Sequence, residues 1–470
     1  RLSPLASRLP SEARVFAANA ALQLAHGDFI VCLAPGDRLS PLAFAEIAAQ
    51  AARTPDADLI YIDEDKIGPA GERWDPFFKP DWAPDLLHSL DYVGPCAAVR
   101  REVALALGGF RDDLPGAEQY DLTLRVADRR GDPEARVVHL PRLLISRYTP
   151  SPDAETLLGA AMEESSRRAV AVSLERQGVE ATVEPGLIPG ARRVRRALRE
   201  RPSVTLVMPT GGKMHYLRPC LDSLLHATTY PDIRLLVVDN SDGGQVAALC
   251  QDLTLNGAHV RREPFPTKPF NFSAVINHAL TLVETPYVVL LNDDMTVVTP
   301  DWIEAMLEHA QRPDVGAVGA KLLYPDDTLQ HAGVIFGPYG GSTHPCRHVP
   351  PSHPGYFGFP HVVREWSAVT FACAMLRTAT FAEIGPLDDV NFRVAFNDAD
   401  FCLRLRERGY RIIYTPHAVL HHYESATKKL LAEPGEVEYM RRRWGHVIAR
   451  DPYYNPNLTR TGEDYSLDLG

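Results

Sequence analysis

Ala274-Val275-Ile276-Asn277-His278-Ala279-Leu280-Thr281-Leu282-Val283, followed shortly by Tyr287-Val288-Val289-Leu290-Leu291-Asn292-Asp293-Asp294, is the stretch that decides the fold. Apolar residues at helical spacing lead into a five-residue apolar run that ends on three polar residues. That is the pattern of a helix feeding a buried strand. The same pattern stands near the front of the chain, as Phe16-Ala17-Ala18-Asn19-Ala20-Ala21-Leu22-Gln23-Leu24-Ala25 and then Phe29 to Leu33. Each run is followed by a loop and a Pro-led helix, at Ser40-Pro41 and Thr299-Pro300. The spacings agree: 15 residues from Asn19 to Ala34 and from Asn277 to Asn292, then 21 from Ala34 to Pro55 and from Asn292 to Pro313.

Working outward, the match resumes. Leu107-Gly108-Gly109-Phe110 parallels Ile384-Gly385-Pro386-Leu387, Gln119-Tyr120-Asp121-Leu122 parallels Asp398-Ala399-Asp400-Phe401, and Val137 to Pro141 parallels Ile412 to Pro416. An internal repeat of this length reads as two copies of one α/β domain. The second copy reaches 74 residues back from Asn277 to Ser203, whereas 18 residues precede Asn19, so the first copy lacks about 56. In the second copy that stretch holds strand-like runs at Val204 to Met208 and Leu235 to Val238 around a helix at Tyr216 to His226. Such alternation builds a parallel sheet. The expected organisation is an incomplete first domain over 1–150, a helical and basic linker over 151–200, a complete domain over 201–430, and a C-terminal helix and tail over 431–470. The linker's run Arg192-Arg193-Val194-Arg195-Arg196 reads as a solvated strand edge, with an anionic lipid or polymer contact as the sharper alternative.

Composition narrows the function classes. A chain of 470 residues, 45% hydrophobic and 23% charged, is long enough for two or three domains with large cores. A net charge of -11 argues against non-specific nucleic-acid binding. Seven Cys without any C-x-x-C read as buried thiols of a cytoplasmic protein, not a disulfide frame or zinc knuckle. The longest apolar runs are strand-sized, which predicts no membrane span, and no signal peptide is seen.

Chemistry is expected where strands of an open α/β sheet end. Pro209-Thr210 follow the first strand of the second copy, Asp239-Asn240-Ser241 the second, and Asn292-Asp293-Asp294 the run Tyr287 to Leu291. An acidic triplet there suits a hard divalent cation, which can hold a diphosphate; a solvated turn before a helix is the bland reading. Asp398, at a predicted helix start, reads either as a general base or as an N-terminal helix acid. Of the adjacent pair His421-His422, at most one can ligate a metal, because neighbours on a strand point apart. Gly211-Gly212-Lys213 is not a P-loop, and no G-x-S-x-G elbow occurs.

These residues resemble family 2 glycosyltransferases of the GT-A fold, in particular bacterial tandem-domain members of the rhamnosyltransferase-like type. The resemblance covers nearly the whole chain. It rests on Lys268 to Ser273, Leu290 to Asp294, Val315 to Pro325, Gln330-His331-Ala332-Gly333 and Phe396 to Asp400, with Leu59 to Lys66 and Lys79 to Trp82 matching the first domain of such proteins. It implies two tandem GT-A-like (Rossmann-type) domains, the first N-terminally incomplete and degenerate. It also implies roles: Asp239 on the nucleotide base with Pro209 and Thr210 alongside, Asn292-Asp293-Asp294 in the D-x-D place, and Asp294 as ligand of Mg²⁺ or Mn²⁺. Asp398 becomes the base that deprotonates the acceptor, His421 a metal contact near the diphosphate, and Trp366 a substrate contact. Met440-Arg441-Arg442-Arg443-Trp444 partly matches the Q-x-x-R-W motif of processive synthases; by residue type it reads as a basic patch on a helix surface.

The implied reaction is metal-dependent, inverting transfer from a dTDP- or UDP-sugar to a hydroxyl of a glycan or lipid-linked acceptor, at the cytoplasmic face of the membrane with possible peripheral contact. In the repeat, Asn292 corresponds to Ala34, Asp294 to Gly36, Asp398 to Gln119 and His421 to Ser146, so the first copy is expected to be non-catalytic. Two rivals stand: a catalytically inactive nucleotide-binding scaffold, and a nucleotidyltransferase, which the poor loop after the first strand disfavours.

Overall fold

The structure is a computed structural model and describes residues 11–129, 136–149, 159–423 and 432–468. The chain divides into two compact units: residues 1–196 with Pro452–Leu458, and residues 197–451 with 459–470. Residues 159–196, expected as a linker, fall within the first unit as a helix (Gly159–Arg176) and an antiparallel hairpin (Ala181–Pro185 with Arg192–Arg196).

In the first unit, β1 (Phe29–Val31), β2 (Arg38–Leu39), β3 (Leu59–Ile67), β4 (Arg73–Phe77), β5 (Ala98–Arg100) and β6 (Val137–Tyr148) form one sheet. Its order is β1-β5-β3-β6-β2, with β4 beside β3. β3 and β6 run parallel, and the other pairs are antiparallel. The basic run of the hairpin is built into this unit. Arg192 lies 4.7 Å over the Tyr120 ring, and Arg196 sits 3.4 Å from Asp85, so neither guanidinium is a bare surface charge.

The second unit contains β7 (Val204–Thr210), β8 (Ile233–Asp239), β9 (Val260–Pro264), β10 (Tyr287–Leu291), β11 (Met295–Val297), β12 (Val315–Leu323), β13 (Leu329–His331), β14 (Cys373–Arg377) and β15 (Arg411–His422). Their order is β9-β8-β7-β10-β14-β12-β15-β11, with β13 beside β12 and Arg364–Glu365 beside β15. The five strands β10-β14-β12-β15-β11 have the order and strand senses of β1-β5-β3-β6-β2. Beyond β10 the second unit adds β7, β8 and β9, all parallel, where among the described residues the first unit's sheet has no strand beyond β1. β9 and the helix Gln245–Leu255 before it were not foreseen: Val-Arg-Arg-Glu-Pro is an edge strand with little apolar alternation.

Side-chain chemistry explains why these elements form. Val, Ile, Leu and Met fill β7, β8 and β10, whose centres are wholly buried, as both faces of a parallel sheet require. β12 is buried along its whole length and carries Gly316 and Gly319. A Cβ on Gly319 would lie 2.6 Å from Val369, so the close approach of that segment needs glycine. Before β10, α1 (Phe272–Leu280) is capped by Asn271, whose side chain accepts from the Ala274 N–H at 3.0 Å. Asn277 then exchanges two hydrogen bonds with the Leu387 backbone, at 2.9 and 2.8 Å, and so fixes the helix against the loop before α2 (Asn397–Glu407).

All seven cysteines are free, six of them buried. No helix among the described residues is long and apolar enough to cross a membrane.

Candidate active site

The polar residues of interest collect where β10 ends. Asn292 N–H donates to Ala372 O at 3.0 Å, just before β14 begins, because β14 runs antiparallel to β10. β11 follows at once and pairs with the end of β15, with Met295 opposite His422 and Thr296 opposite His421. The triplet Asn292-Asp293-Asp294 therefore lies between the ends of β10 and β15.

This register decides between the two histidines. His422 is buried and His421 half-buried, following the strand alternation that also buries Ala418 and Leu420. His422 Nε2 lies 3.2 Å from Asp294 Oδ1 and 3.2 Å from Asn292 Nδ2. His421 Nε2 instead meets Asp327 Oδ1 at 2.7 Å, and Asp327 is 65% exposed. The structure thus places His422 beside Asp294 in the position expected of His421. The paired apolar residues at 418 and 420 were the signal that could have found it.

Asp294 is 8% exposed, and its buried Oδ1 has no hydrogen-bond partner. A carboxylate oxygen left this way in a low-dielectric site is costly unless a cation or proton joins it. Facing it is an imidazole nitrogen, so the donor set is that of a divalent metal bound by oxygen and nitrogen. Among the described residues no group of three His, Cys, Asp or Glu side chains forms a ligand set. A metal held by this pair would need its remaining ligands from substrate and water, the usual habit of Mg²⁺.

Asp293 turns the other way and accepts from Thr210 Oγ1 at 2.6 Å, while Thr210 Oγ1 accepts the Gly212 N–H at 3.0 Å. Burial raises the Asp293 pKa above the ordinary carboxylate value, against the lowering effect of the Thr210 hydroxyl. Pro209 and Thr210 are buried at the end of β7. Asp239, 1% exposed, has both oxygens engaged: Oδ1 accepts from Ser241 N and Oγ at 2.9 and 2.5 Å, and Oδ2 from Arg262 Nε at 2.7 Å. Arg262, on β9, was missed because β9 itself was missed.

Asp398 opens α2. Its Oδ1 accepts from Ala399 N at 2.8 Å and its Oδ2 from Phe371 N at 3.4 Å. Burial raises its pKa, opposed by these N–H groups and the Thr370 hydroxyl. The segment Thr370-Phe371-Ala372 links it to the triplet, since Phe371 contacts Asp398 and Ala372 contacts Asn292.

One expected site residue and one surface reading turn out differently. Trp366 is 1% exposed, with Arg364 stacked 3.6 Å from its ring centroid and Gly333 so close that a Cβ there would lie 2.2 Å from the ring. It is a packing residue and offers no substrate a surface. The basic patch read at Met440 to Trp444 is not wholly at the surface. Trp444 Nε1 donates to Asp400 Oδ1 at 2.9 Å and Arg443 Nε lies 3.3 Å from the same oxygen, so this helix (Pro434–Ala449) is pinned to α2.

Residues 205–377 match the family model of glycosyl transferase family 2. The uncharacterized protein y4gI of Sinorhizobium fredii (strain NBRC 101917 / NGR234) is 37% identical over 464 residues, covering 96% of this chain and 50% of that protein. The O-antigen biosynthesis protein RfbC of Myxococcus xanthus is 37% identical over 472 residues, covering 96% of this chain and 35% of that protein. The chain spans about half, or less, of the length of these curated relatives. Among solved structures, the mannosyltransferase PcManGT from Pyrobaculum calidifontis, in complex with GDP-Man and Mn²⁺, aligns at 17% identity and a TM-score of 0.36. That alignment covers 49% of this chain and 59% of that one, a likeness too loose to carry an argument.

Proposed function

We propose that the second unit, whose residues 205–377 match the family model of glycosyl transferase family 2, transfers a sugar from a nucleoside-diphosphate sugar to an acceptor hydroxyl. The observation that carries this reading is the orphaned Asp294 Oδ1 facing His422 Nε2 at 3.2 Å, at the end of β10 in that domain. Asp294 and His422 would hold Mg²⁺ or Mn²⁺. A divalent ion there supplies charge neutralisation for a departing diphosphate.

The chain's own residues do the rest. Asp398 takes the proton of the acceptor hydroxyl as that oxygen bonds to the anomeric carbon and the bond from carbon to the diphosphate oxygen breaks. One base suffices for such a single displacement, which inverts configuration. Its raised pKa brings Asp398 closer to the working pH and so makes it a better proton acceptor. Thr210 and Asp293 brace each other below the diphosphate side, and Asp239 fixes Ser241 and Arg262 on the nucleoside side. A role in cell-surface polysaccharide assembly is supported by the relative named for O-antigen biosynthesis. The first unit we read as a GT-A-like copy without transfer chemistry.

A screen of UDP-, dTDP-, GDP- and CDP-sugars for nucleoside-diphosphate release in the presence of Mn²⁺ tests the reading. Turnover with one donor that is abolished in Asp398→Asn supports it, and full turnover in that variant would refute the assigned base.

A further inference from the structure

We propose that Gln330 is a positioning residue that sets the tautomer of His422 and so leaves Nε2, 3.2 Å from Asp294 Oδ1, as the lone-pair nitrogen. This rests on the reading of Asp294 and His422 as a metal-holding pair. Gln330 lies on β13, 5% exposed, and touches His422 twice. Its Nε2 donates to the His422 carbonyl oxygen at 3.2 Å, and its Oε1 lies 2.6 Å from His422 Nδ1.

The logic runs one way. A backbone carbonyl only accepts, so the NH₂ end of the Gln330 amide must face it. The Oε1 end is then left for Nδ1, and because Oε1 also only accepts, Nδ1 must carry the hydrogen. In the neutral ring Nε2 is therefore the lone-pair nitrogen, the form that binds metals. In the opposite tautomer Nε2–H would face the Asn292 Nδ2 amide at 3.2 Å, donor against donor, and could not ligate a cation. Gln330 disfavours that form and leaves Nε2 as an acceptor for Asn292 Nδ2 at 3.2 Å, with the unpartnered Asp294 Oδ1 also 3.2 Å away. A cation held by Nε2 and Asp294 Oδ1 would replace the Asn292 contact on that nitrogen. Partners of this kind that orient a ligand typically change metal affinity by about 10- to 100-fold.

Two measurements test this. The first is ¹⁵N NMR of histidine-labelled, metal-free protein near neutral pH, with His422→Gln to assign the signal. Protonated Nδ1 with unprotonated Nε2 is expected in wild type, with a mixed population in Gln330→Met; an Nε2–H tautomer in wild type overturns the proposal. The second is an EPR titration with Mn²⁺, alone and with each of UDP, dTDP, GDP and CDP. Gln330→Met, which keeps the volume, should weaken binding about 10- to 100-fold. Gln330→Glu, which keeps the acceptor, should bind at least as well as wild type. A purely packing role predicts the reverse order, with Met tolerated and a buried Glu harmful, and that order overturns the proposal. Wild-type Mn²⁺ binding that is absent or unaffected by Asp294→Ala would overturn the donor-site reading instead, while the tautomer result still decides the role of Gln330.

Discussion

The two units share a strand order and differ in what stands at the strand ends. Their scaffold contacts agree closely. Asn19 exchanges two hydrogen bonds with the Phe110 backbone at 2.9 and 2.8 Å, as Asn277 does with Leu387 at 2.9 and 2.8 Å. Arg125 pairs with Asp121 at 2.7 Å and donates to the carbonyls of Leu107 and Gly109. Arg404 pairs with Asp400 at 2.9 Å and donates to those of Ile384 and Pro386. The strand-end residues do not agree. Where the second unit has Asn292 and Asp294, the first has Ala34 and Gly36. Gly36 has φ +101, and a Cβ on it would lie 2.6 Å from the Tyr148 ring. Asp37 closes the loop by accepting from Ala34 N and Tyr148 N, each at 2.9 Å. Through the matching registers Arg38↔Ser146 and Thr296↔His421, His422 corresponds to Arg147, which pairs with Glu64 at 3.1 Å. Polar contacts that hold the fold are present twice. A buried carboxylate oxygen left without a hydrogen-bond partner beside an imidazole stands at this place in the second unit and, among the described residues, has no counterpart at Ala34 or Gly36, and that contrast separates scaffold from site.

The largest expected effect lies on the chemical side of the comparison. Asp398→Asn should reduce transfer by about 10²- to 10⁴-fold, while the corresponding Gln119→Leu should leave transfer unchanged, both read from initial rates of nucleoside-diphosphate release. Next, Asp294→Ala and His422→Ala should each remove several kcal/mol, roughly, of transition-state stabilisation with metal present, whereas His421→Ala should cost less than about threefold. Equal losses at 421 and 422 would break the assignment by register.

The first unit should respond in stability instead. His139 lies between Asp63 and Asp81, each 2.9 Å from a ring nitrogen, and Asn455 donates to both oxygens of Asp63 at 3.2 and 3.0 Å. Burial pulls the His139 pKa down, but the two carboxylates outweigh it and the net shift is upward. A raised folded-state value means that this stabilisation is fully present below the unfolded value, about 6.5, and is lost as pH rises through the folded one. His139→Ala should destabilise the unit by roughly 3 kcal/mol or more, by leaving Asp63 buried without its charge partner, and should flatten the fall in stability above neutral pH. Chemical denaturation at several pH values reads both.

The smallest effect should be symmetric. Asn19→Ala and Asn277→Ala each remove a two-bond latch and should each cost about 1–3 kcal/mol, read from urea midpoints. A large cost in one unit alone would mean that the shared contacts do not bear equally on the two folds.

Much of this was legible in the residues. The helix and strand around Asn277 and Tyr287, the strands at Val204 and Leu235, and their counterparts near Asn19 follow from local apolar patterning, which needs no knowledge of distant partners. What was illegible depends on distant partners. Whether 421 or 422 meets Asp294 depends on register with β11. Trp366 has an aromatic ring suited to stacking on a sugar, and only Arg364 and Gly333 packed against it show that it is enclosed. Gln330 acquires a role only because β13 lies against β12 and brings it to His422, 92 positions away. Residues Pro452–Leu458 belong to the first unit through Asn455 and the bond from Asp81 N to Pro452 O, a connection no local pattern announces.

The account's central claim is that the second unit holds a donor site built on Asp294. A thermal-shift titration of UDP, dTDP, GDP and CDP, each with and without Mn²⁺, on wild type and Asp294→Ala tests it most directly. Ligands that bind the folded state raise its melting temperature by mass action. The account predicts a Mn²⁺-dependent rise for at least one nucleotide, lost in Asp294→Ala. No shift with any nucleotide, or a shift that survives the substitution, would contradict it.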